Sequence, residues 1–186
     1  MGLELVPTGR DVPNEINVVI EIPKDSEPIK YEVDKETGAI FVDRILSTPM
    51  RYPCNYGYVP HTLCGDGDPV DVLVILPLPL VAGCVIRCRP VGVLKMTDEA
   101  GGDDKILCVP AKDPRVTAIQ DLEDVSEFDR LEIQHFFETY KDLEPGKSVE
   151  GAHWAGRETA NQVILEAIAR ADEHGVTTSR WPKPNH

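Results

Sequence analysis

The sequence predicts a mainly β protein with flanking helices, an α+β fold in which two helices follow the strands. Its first two-thirds consist of short alternating or apolar segments separated by turn residues, and its last third has helical periodicity. Five or six strands of this length, mostly joined by turns, are typical of a small closed or nearly closed antiparallel barrel. We therefore expect one domain over residues 1–175 and a mobile tail over residues 176–186.

Three strands are predicted near the start of the chain, over residues 17–22, 30–33 and 39–45. Alternation in the first strand places Glu21 opposite its apolar neighbours, and in the second strand it places Lys30 and Glu32 on one face. Because residues 34–38 have the composition of a turn, we predict that the second and third strands form a β-hairpin.

The middle of the chain alternates between polar loops and apolar strands. Residues 46–71 are rich in Pro, Tyr, Gly and Asn and predict a long ordered loop, of the kind that often carries function. A bend is expected near Pro90 and Gly92 in the longest of the later strands. These later strands are predicted over residues 72–76, 85–96 and 105–109, with an acidic loop over residues 97–104.

Two helices are predicted in the last third of the chain. The first begins at Ser126, with Asp129 three residues later as a weak capping pair, and it runs to about residue 143. The second has apolar residues spaced i, i+3, i+4 and i+7 between Ala160 and Ala171 and ends at His174, just before a glycine.

Composition limits the classes of function. The chain has 186 residues, a hydrophobic share of 41% and a formal net charge of −13. This charge argues against a nucleic-acid partner, although an anionic substrate remains possible where divalent cations reverse the local sign. No apolar run long enough for a membrane span and no secretory signal is visible, so we expect a cytoplasmic protein with no membrane partner. Five cysteines without a CxxC pair favour free thiols.

The most informative segment is the acidic turn at residues 65–71, Gly-Asp-Gly-Asp-Pro-Val-Asp. It places Asp66, Asp68 and Asp71 at the start of an apolar strand, and its glycines and proline favour a tight turn in which the carboxylates converge. Such a density of negative charge requires a cationic partner, and oxygen ligands suit hard cations such as Mg²⁺ or Ca²⁺. The segment is therefore a candidate metal site.

A second acidic loop contains Asp98 and Asp103, together with Glu99 and Asp104. In a barrel the two loops can open at the same end, and with Glu21 and Glu32 they would give eight or nine carboxylates near one cavity. The combination of carboxylates with cationic and phenolic donors predicts metal-assisted phosphoryl transfer to water. The donors interleaved with the carboxylates are Lys30, Arg44, Tyr52, Tyr56, Lys105, Tyr140 and Lys141.

Each of these features alone has a simpler explanation. An Asp-rich loop is more often a solvated turn, and single lysines or arginines on strands are ordinary surface charges. An EF-hand is poorly supported, since counting from Asp66 puts Asp71 at position six and Pro77 at position twelve. No Walker loop is present. The functional interpretation depends on the whole set of residues.

At these residues the chain resembles soluble, Mg²⁺-dependent inorganic pyrophosphatases of family I, in their bacterial form. The most specific similarity is Asp66-Gly67-Asp68-Pro69-Val70-Asp71, and the resemblance extends from about Leu5 to Ala171. It implies a five-stranded OB-like barrel with flanking helices, hydrolysis of inorganic pyrophosphate to two phosphates by Mg²⁺-activated water, and a homohexamer. Supporting segments lie at residues 19–23, 29–32, 42–44, 52–58, 95–101 and 135–141.

The resemblance also implies that several Mg²⁺ ions bind in each active site. The principal ion is expected on Asp66, Asp71 and Asp103, and Asp71 is expected to bridge to a second ion. Asp98 would join Asp103 on a third. A fourth ion is expected on two glutamates, Glu21 and Glu32.

The same resemblance assigns the remaining residues to proton transfer and substrate binding. Asp68 is expected to act as the general base that takes a proton from water. Pyrophosphate is expected to be held by six donors, Lys30, Arg44, Tyr56, Lys105, Tyr140 and Lys141, with Tyr52 nearby. Two positions depart from the family pattern: Arg51 stands where an aromatic or apolar residue is common, and Thr139 where some bacterial relatives have a histidine on an inter-subunit face.

Two other functions stay open. One is a Mg²⁺-dependent hydrolase of nucleoside di- or triphosphates, although the helices lack the Glu-rich REx₂EE pattern of Nudix enzymes. The other is a non-enzymatic OB-fold module that binds oligonucleotides or Ca²⁺, against which the negative charge and the lack of an exposed aromatic stripe argue.

Overall fold

The structure, a computed structural model, describes residues 2–99 and 101–176. Within them the predicted order of strands followed by helices is confirmed. Two α-helices are present, α1 (Glu127–Thr139) and α2 (Arg157–Glu173). The strands are β1 (Ile16–Ile22), β2 (Ile29–Val33), β3 (Ile40–Ile45), β4 (Asn55–Tyr58), β5 (Asp71–Val74), β6 (Val85–Asp98), β7 (Gly101–Gly102), β8 (Lys105–Pro110) and β9 (Val149–Gly156).

Five strands close into a ring in the order β1-β4-β5-β8-β6, because β6 pairs back with β1. This closed ring of five strands agrees with the predicted fold class. The expectation of an entirely antiparallel barrel is wrong at one position, since β5 and β8 pair in parallel. The cause is the connection: the chain leaves β5, runs the length of β6 and returns antiparallel to β6, which gives β8 the direction of β5.

The hairpin of β2 and β3 forms a separate two-stranded sheet, as predicted. It is attached to the ring through Glu21 of β1, whose Oε1 accepts a hydrogen bond from the backbone N–H of Val33 at 2.8 Å. Most of β3 is exposed. The hairpin therefore stands beside the ring and presents the side chains of β2 to the same end of the molecule as Glu21.

Three strands of the described residues lie where none was predicted. β4 falls within the predicted loop 46–71, and β9 lies between the helices, where it pairs with β6. β4 contains Asn and Gly, which are poor strand formers, yet all four of its residues are buried. Position 57 requires glycine because the backbones of β4 and β1 approach closely there: a Cβ would lie 1.9 Å from the carbonyl oxygen of Val19 on β1. The smaller β7 likewise interrupts the predicted acidic loop.

The helices differ from prediction mainly at the ends of α1. Ser126 occupies the N-cap, but its side chain makes no capping bond, so the predicted pair with Asp129 is wrong. The first turn is closed instead by a backbone bond from Arg130 N–H to the carbonyl of Ser126. α1 ends at Thr139 rather than near residue 143, because the chain continues in tight turns. The last residue of α2 is Glu173, and His174 is its C-cap, in agreement with the predicted end.

The helices cover two apolar clusters of the ring. One cluster is aromatic and includes Tyr52, whose ring centroid lies 4.7 Å from that of Phe136 on α1. The other includes Ile164 and Ala167 of α2 packed on the opposite part of the ring. Among the described residues no helix is long and apolar enough to cross a membrane. The predicted mobile tail lies, apart from Val176, outside the described residues, and the single domain over residues 1–175 stays a prediction.

Candidate active site

One cavity of about 260 Å³ is lined by all thirteen residues that the sequence predicted for the site. It lies at the end of the ring where the two acidic loops and the β2–β3 hairpin meet. The thirteen are Glu21, Lys30, Glu32, Arg44, Tyr56, Asp66, Asp68, Asp71, Asp98, Asp103, Lys105, Tyr140 and Lys141. The prediction that both acidic loops open into one space is therefore confirmed.

The first acidic loop is a compact turn between β4 and β5. Gly67 has φ +96°, a left-handed conformation that favours glycine. The carboxylate of Asp66 accepts a bond from the backbone N–H of Asp68 at 3.0 Å, and the carbonyl of Asp68 accepts one from Cys64 at 2.7 Å. These bonds fix the turn and leave the side chain of Asp68 exposed at the cavity mouth. Asp71 follows as the first residue of β5.

The parallel pairing of β5 with β8 brings the second acidic loop against the first. Asp71 is the register partner of Lys105, so the starts of the two strands lie side by side. Asp98 ends β6, and Asp103 is held by a bond from its backbone N–H to the carbonyl of Met96 at 2.9 Å. The two loops therefore face each other across the start of β8.

Lys105 is the cationic centre of this arrangement. Its Nζ lies 2.8 Å from Oδ2 of Asp71 and 2.8 Å from Oδ1 of Asp103, and its side chain is only 3% exposed. Burial alone lowers the pKa of an ammonium, but the two carboxylates outweigh it and hold the pKa of Lys105 well above its ordinary value. Burial also raises the pKa of Asp103. Lys105 is thus a permanent cation.

Lys141 repeats the pattern beside it. Its Nζ lies 2.9 Å from Oδ2 of Asp98 and 3.7 Å from Glu99. Burial lowers the pKa of Lys141, but the neighbouring groups Tyr140, Asp98 and Glu99 raise it by more, so the net shift is upward. Two lysines of the cavity are therefore paired with carboxylates that the sequence assigned to metal binding.

The remaining predicted donors line the other walls. Lys30 and Arg44 are cross-strand partners on the hairpin, and Arg44 Nε lies 3.3 Å from Oε1 of Glu144. Burial and Asp71 raise the pKa of Tyr56 well above its usual range, so its phenol stays protonated and able to donate. Tyr140 is buried at the same wall.

Carboxylates in the cavity are destabilised by burial and by one another. Burial raises the pKa of Glu21 to about 7, although Lys35 and the Val33 N–H oppose the shift. Partial burial and then neighbouring carboxylates raise the pKa of Asp68, and burial is also the largest cause of the raised pKa of Asp66. Eight carboxylates and six cationic side chains line the space, leaving an excess of two negative charges when all are ionised.

This donor set fits a hard divalent cation. It supplies carboxylate oxygens, and the ionised carboxylates outnumber the cationic side chains of the cavity. As the side chains stand in the described residues, no three His, Cys, Asp or Glu side chains are grouped closely enough to hold a metal ion. In this arrangement the ammonium groups of Lys105 and Lys141 lie between the carboxylates and take one oxygen each of Asp71, Asp103 and Asp98.

Comparison with known proteins decides the family. A family model described as inorganic pyrophosphatase matches residues 18–172, most of the chain. This chain belongs to the inorganic pyrophosphatase family. The inorganic pyrophosphatase of Xanthomonas campestris pv. campestris is 65% identical over 91% of this chain and 97% of its own length. That of Haemophilus ducreyi is 58% identical over 92% of this chain and 99% of its own.

Solved structures of the family share the fold. The crystal structure of inorganic pyrophosphatase from Thermus thermophilus has a TM-score of 0.88 and 45% sequence identity, and it covers 92% of this chain and 99% of that one. The predicted resemblance and the predicted fold class are thus confirmed, and family membership favours pyrophosphate over nucleoside polyphosphates as the substrate.

Part of the cavity wall was not predicted from the sequence. Lys35 pairs with Glu21 at 3.4 Å, and Lys147 lies 3.7 Å from Glu99. A lysine in a hairpin turn is ordinarily a solvated charge, so no local signal identified Lys35. Glu99 was noticed only as part of an acidic loop. The other lining residues outside the predicted set are Tyr31, Tyr58 and Pro69.

Proposed function

We propose that this inorganic diphosphatase (EC 3.6.1.1) hydrolyses pyrophosphate to two phosphates in a Mg²⁺-dependent reaction with Asp68 as the general base. The observation that carries the proposal is that eight carboxylates and six cationic side chains line one and the same cavity. Carboxylates suit the metal and the cations suit the phosphates, so both parts of a metal–pyrophosphate complex have partners.

The proposed metal ligands are six carboxylates of the cavity. Asp66, Asp71 and Asp103 would hold a principal Mg²⁺, with Asp71 also on a second ion and Asp98 joining Asp103 on a third. Glu21 and Glu32 would hold a fourth. When bound, Mg²⁺ lowers the pKa of a coordinated water towards neutrality and neutralises charge on the phosphate oxygens.

Asp68 is suited to proton transfer by its position. Its backbone is held by Asp66 and Cys64 within the acidic turn, while its carboxylate is exposed at the cavity mouth. The environment raises its pKa above the ordinary value for an aspartate, which makes it a stronger base than an isolated carboxylate. It would accept the proton of the attacking water and release it to solvent.

The proposed pyrophosphate clamp consists of donors that keep their protons. The raised pKa values of Lys105 and Lys141 keep both ammonium groups charged, and the phenol of Tyr56 stays protonated. These groups would donate to phosphate oxygens and offset charge on the leaving phosphate, together with Lys30, Arg44 and Tyr140. Lys105 and Lys141 would exchange their present carboxylate partners for phosphate oxygens.

The direct test is phosphate release from pyrophosphate by the purified protein, with Mg²⁺ and with excess chelator. Activity is expected only with Mg²⁺, and ATP under the same conditions is expected to be a much poorer substrate. Asp68→Asn, which keeps the size of the side chain, should lower kcat by at least about 100-fold, the usual contribution of a general base. Exposed Asp172→Asn is the matched control. No phosphate release with Mg²⁺ would overturn the proposal, and near-normal turnover by Asp68→Asn would remove that residue from its role.

We also propose a cytoplasmic homohexamer. The support for an assembly is the exposed apolar surface of β3. Phe41, Val42 and Ile45 are 56%, 59% and 71% exposed, and oligomers bury such side chains. Thr139 is placed on α1 with its hydroxyl donating to the backbone carbonyl of His135 at 2.6 Å. Sedimentation velocity tests the assembly, and a monomer at micromolar concentration would contradict it.

A further inference from the structure

Lys35 is a cation of the cavity that has no place in the clamp described above. It lies in the turn after β2, and its ammonium has three neighbours. Nζ lies 2.7 Å from the carbonyl oxygen of Val33, 3.4 Å from Oε1 of Glu21 and 4.1 Å from the ring centroid of Tyr58. These contacts direct the charge to the wall formed by β1 and β4 rather than to the centre of the cavity.

Its carboxylate partner is strongly confined. The side chain of Glu21 is 6% exposed, and its Oε1 accepts both from Lys35 and from the Val33 N–H. Neither bond uses Oε2. One oxygen of Glu21 is therefore occupied by the protein's own ammonium, and the other is the oxygen available to a cation from solvent.

Lys35 differs from the lysines assigned to pyrophosphate. Lys105 and Lys141 are 3% and 7% exposed, and each lies beside an aspartate in the interior of the site. The side chain of Lys35 is 41% exposed and reaches Glu21 from the outer edge of the hairpin. Glu21 is the carboxylate with which Lys35 forms an ion pair, so its effect is exerted mainly on Glu21 and on whatever that carboxylate binds.

We propose that Lys35 is the counter-ion of Glu21 and restrains the binding of a divalent cation there, so that it sets the cation concentration at which Glu21 becomes occupied. The proposal rests on the proposed function, in which Glu21 is a metal ligand. A divalent ion at Oε2 must either tolerate an ammonium on the same carboxylate or displace it. Both routes weaken cation binding at Glu21 and leave the aspartate sites unaffected.

The test measures metal binding without pyrophosphate. Mn²⁺ is the probe, because it is a hard divalent cation and its free concentration can be read by electron paramagnetic resonance. Lys35→Met keeps the apolar stem against Tyr58 and removes the charge. It should tighten the weakest class of Mn²⁺ sites by roughly threefold to tenfold, as expected for a partly exposed charge acting on a divalent ion.

Two controls identify the cause. Lys112→Met makes the same change in net charge at an exposed position away from the cavity and should leave all Mn²⁺ affinities unchanged. In a Glu21→Gln background, Lys35→Met should lose its effect, because the carboxylate that couples the two charges is gone. Circular dichroism and sedimentation of each variant verify an unchanged fold and assembly.

The outcomes separate this inference from the proposed function. Equal Mn²⁺ binding by Lys35→Met and Lys112→Met, weaker binding by Lys35→Met, or a gain that persists with Glu21→Gln would each overturn the role of Lys35. Phosphate release by the unmodified protein is scored independently. A protein that binds Mn²⁺ in the expected pattern yet releases no phosphate contradicts the proposed function and leaves the role of Lys35 standing.

Discussion

Replacement of Glu21 by glutamine tests how strongly the cavity opposes ionisation of its carboxylates. Glu21 is 5% exposed, and burial raises its pKa from 4.5 to about 7. Because the pKa is higher in the folded than in the unfolded state, the folded protein binds the proton more tightly. The favourable contribution of protonated Glu21 to the unfolding free energy is therefore fully present below about pH 4.5 and is lost as the pH rises through about 7.

The magnitude follows from the size of the shift. A pKa change from 4.5 to about 7 corresponds to about 3 kcal/mol at high pH, since one unit is worth about 1.4 kcal/mol. Glutamine has nearly the shape of a protonated glutamate and carries no charge at any pH. When the pH is raised from 5 to 8.5, the unfolding free energy of Glu21→Gln should therefore increase by about 2 to 3 kcal/mol relative to that of the unmodified protein.

The assay is urea unfolding followed by tryptophan fluorescence at both pH values, in excess chelator so that no divalent cation occupies the site. Glu123→Gln is the matched control, because Glu123 is exposed on the surface. This control should change the unfolding free energy equally at the two pH values. If Glu21→Gln does the same, its carboxylate is not desolvated, and the argument for an uncompensated charge in the cavity fails.

Packing elsewhere in the molecule gives three further expected outcomes. Gly57→Ala should lower the unfolding free energy in urea by about 3 kcal/mol or more, because its Cβ would meet the carbonyl of Val19 at 1.9 Å. Burial raises the pKa of the Cys54 thiol to about 12, so a maleimide at pH 8 should label it only after unfolding, as mass spectrometry would detect. Ile164→Ala should cost about 2 to 5 kcal/mol, whereas Leu165→Ala, at a position 48% exposed, should cost less than about 1 kcal/mol. Native labelling of Cys54, or similar losses at the last two positions, would contradict this view of the core.

The elements predicted correctly from sequence are those whose local pattern agrees with their tertiary environment. β1 is an apolar segment that is buried at every position except Asn17, β2 and β3 pair across a turn, and α2 has an apolar stripe that packs on the ring. β4 and β9 were missed because each contains residues that disfavour strands. β4 contains Gly57, because β4 packs too closely on β1 for a larger residue at that position. β9 contains Gly151 at φ +66°. In both cases long-range pairing determines the strand.

The candidate site was predicted more fully than the strands that carry it. Charged residues at the ends of apolar strands are conspicuous, since burial there requires partners of opposite sign. Two of their ion pairs were not predictable, because Lys105 with Asp71 and Lys141 with Asp98 join distant segments. Lys35 was missed for a related reason: its turn position indicates a solvated charge, and only the folded hairpin places it beside Glu21.

The one parallel pairing of the ring determines whether the site forms. Alignment of β5 with β8 places Asp71 opposite Lys105, and a slip by one residue would turn the lysine to the other face of the sheet. Neither acidic loop contains the information for that register. It resides in the apolar residues that follow, since Val72 and Leu73 are fully buried against Ile106 and Leu107. Loss of this packing would separate the carboxylates of the two loops although no charged residue had changed, so the chemistry of the cavity depends on the core beneath it.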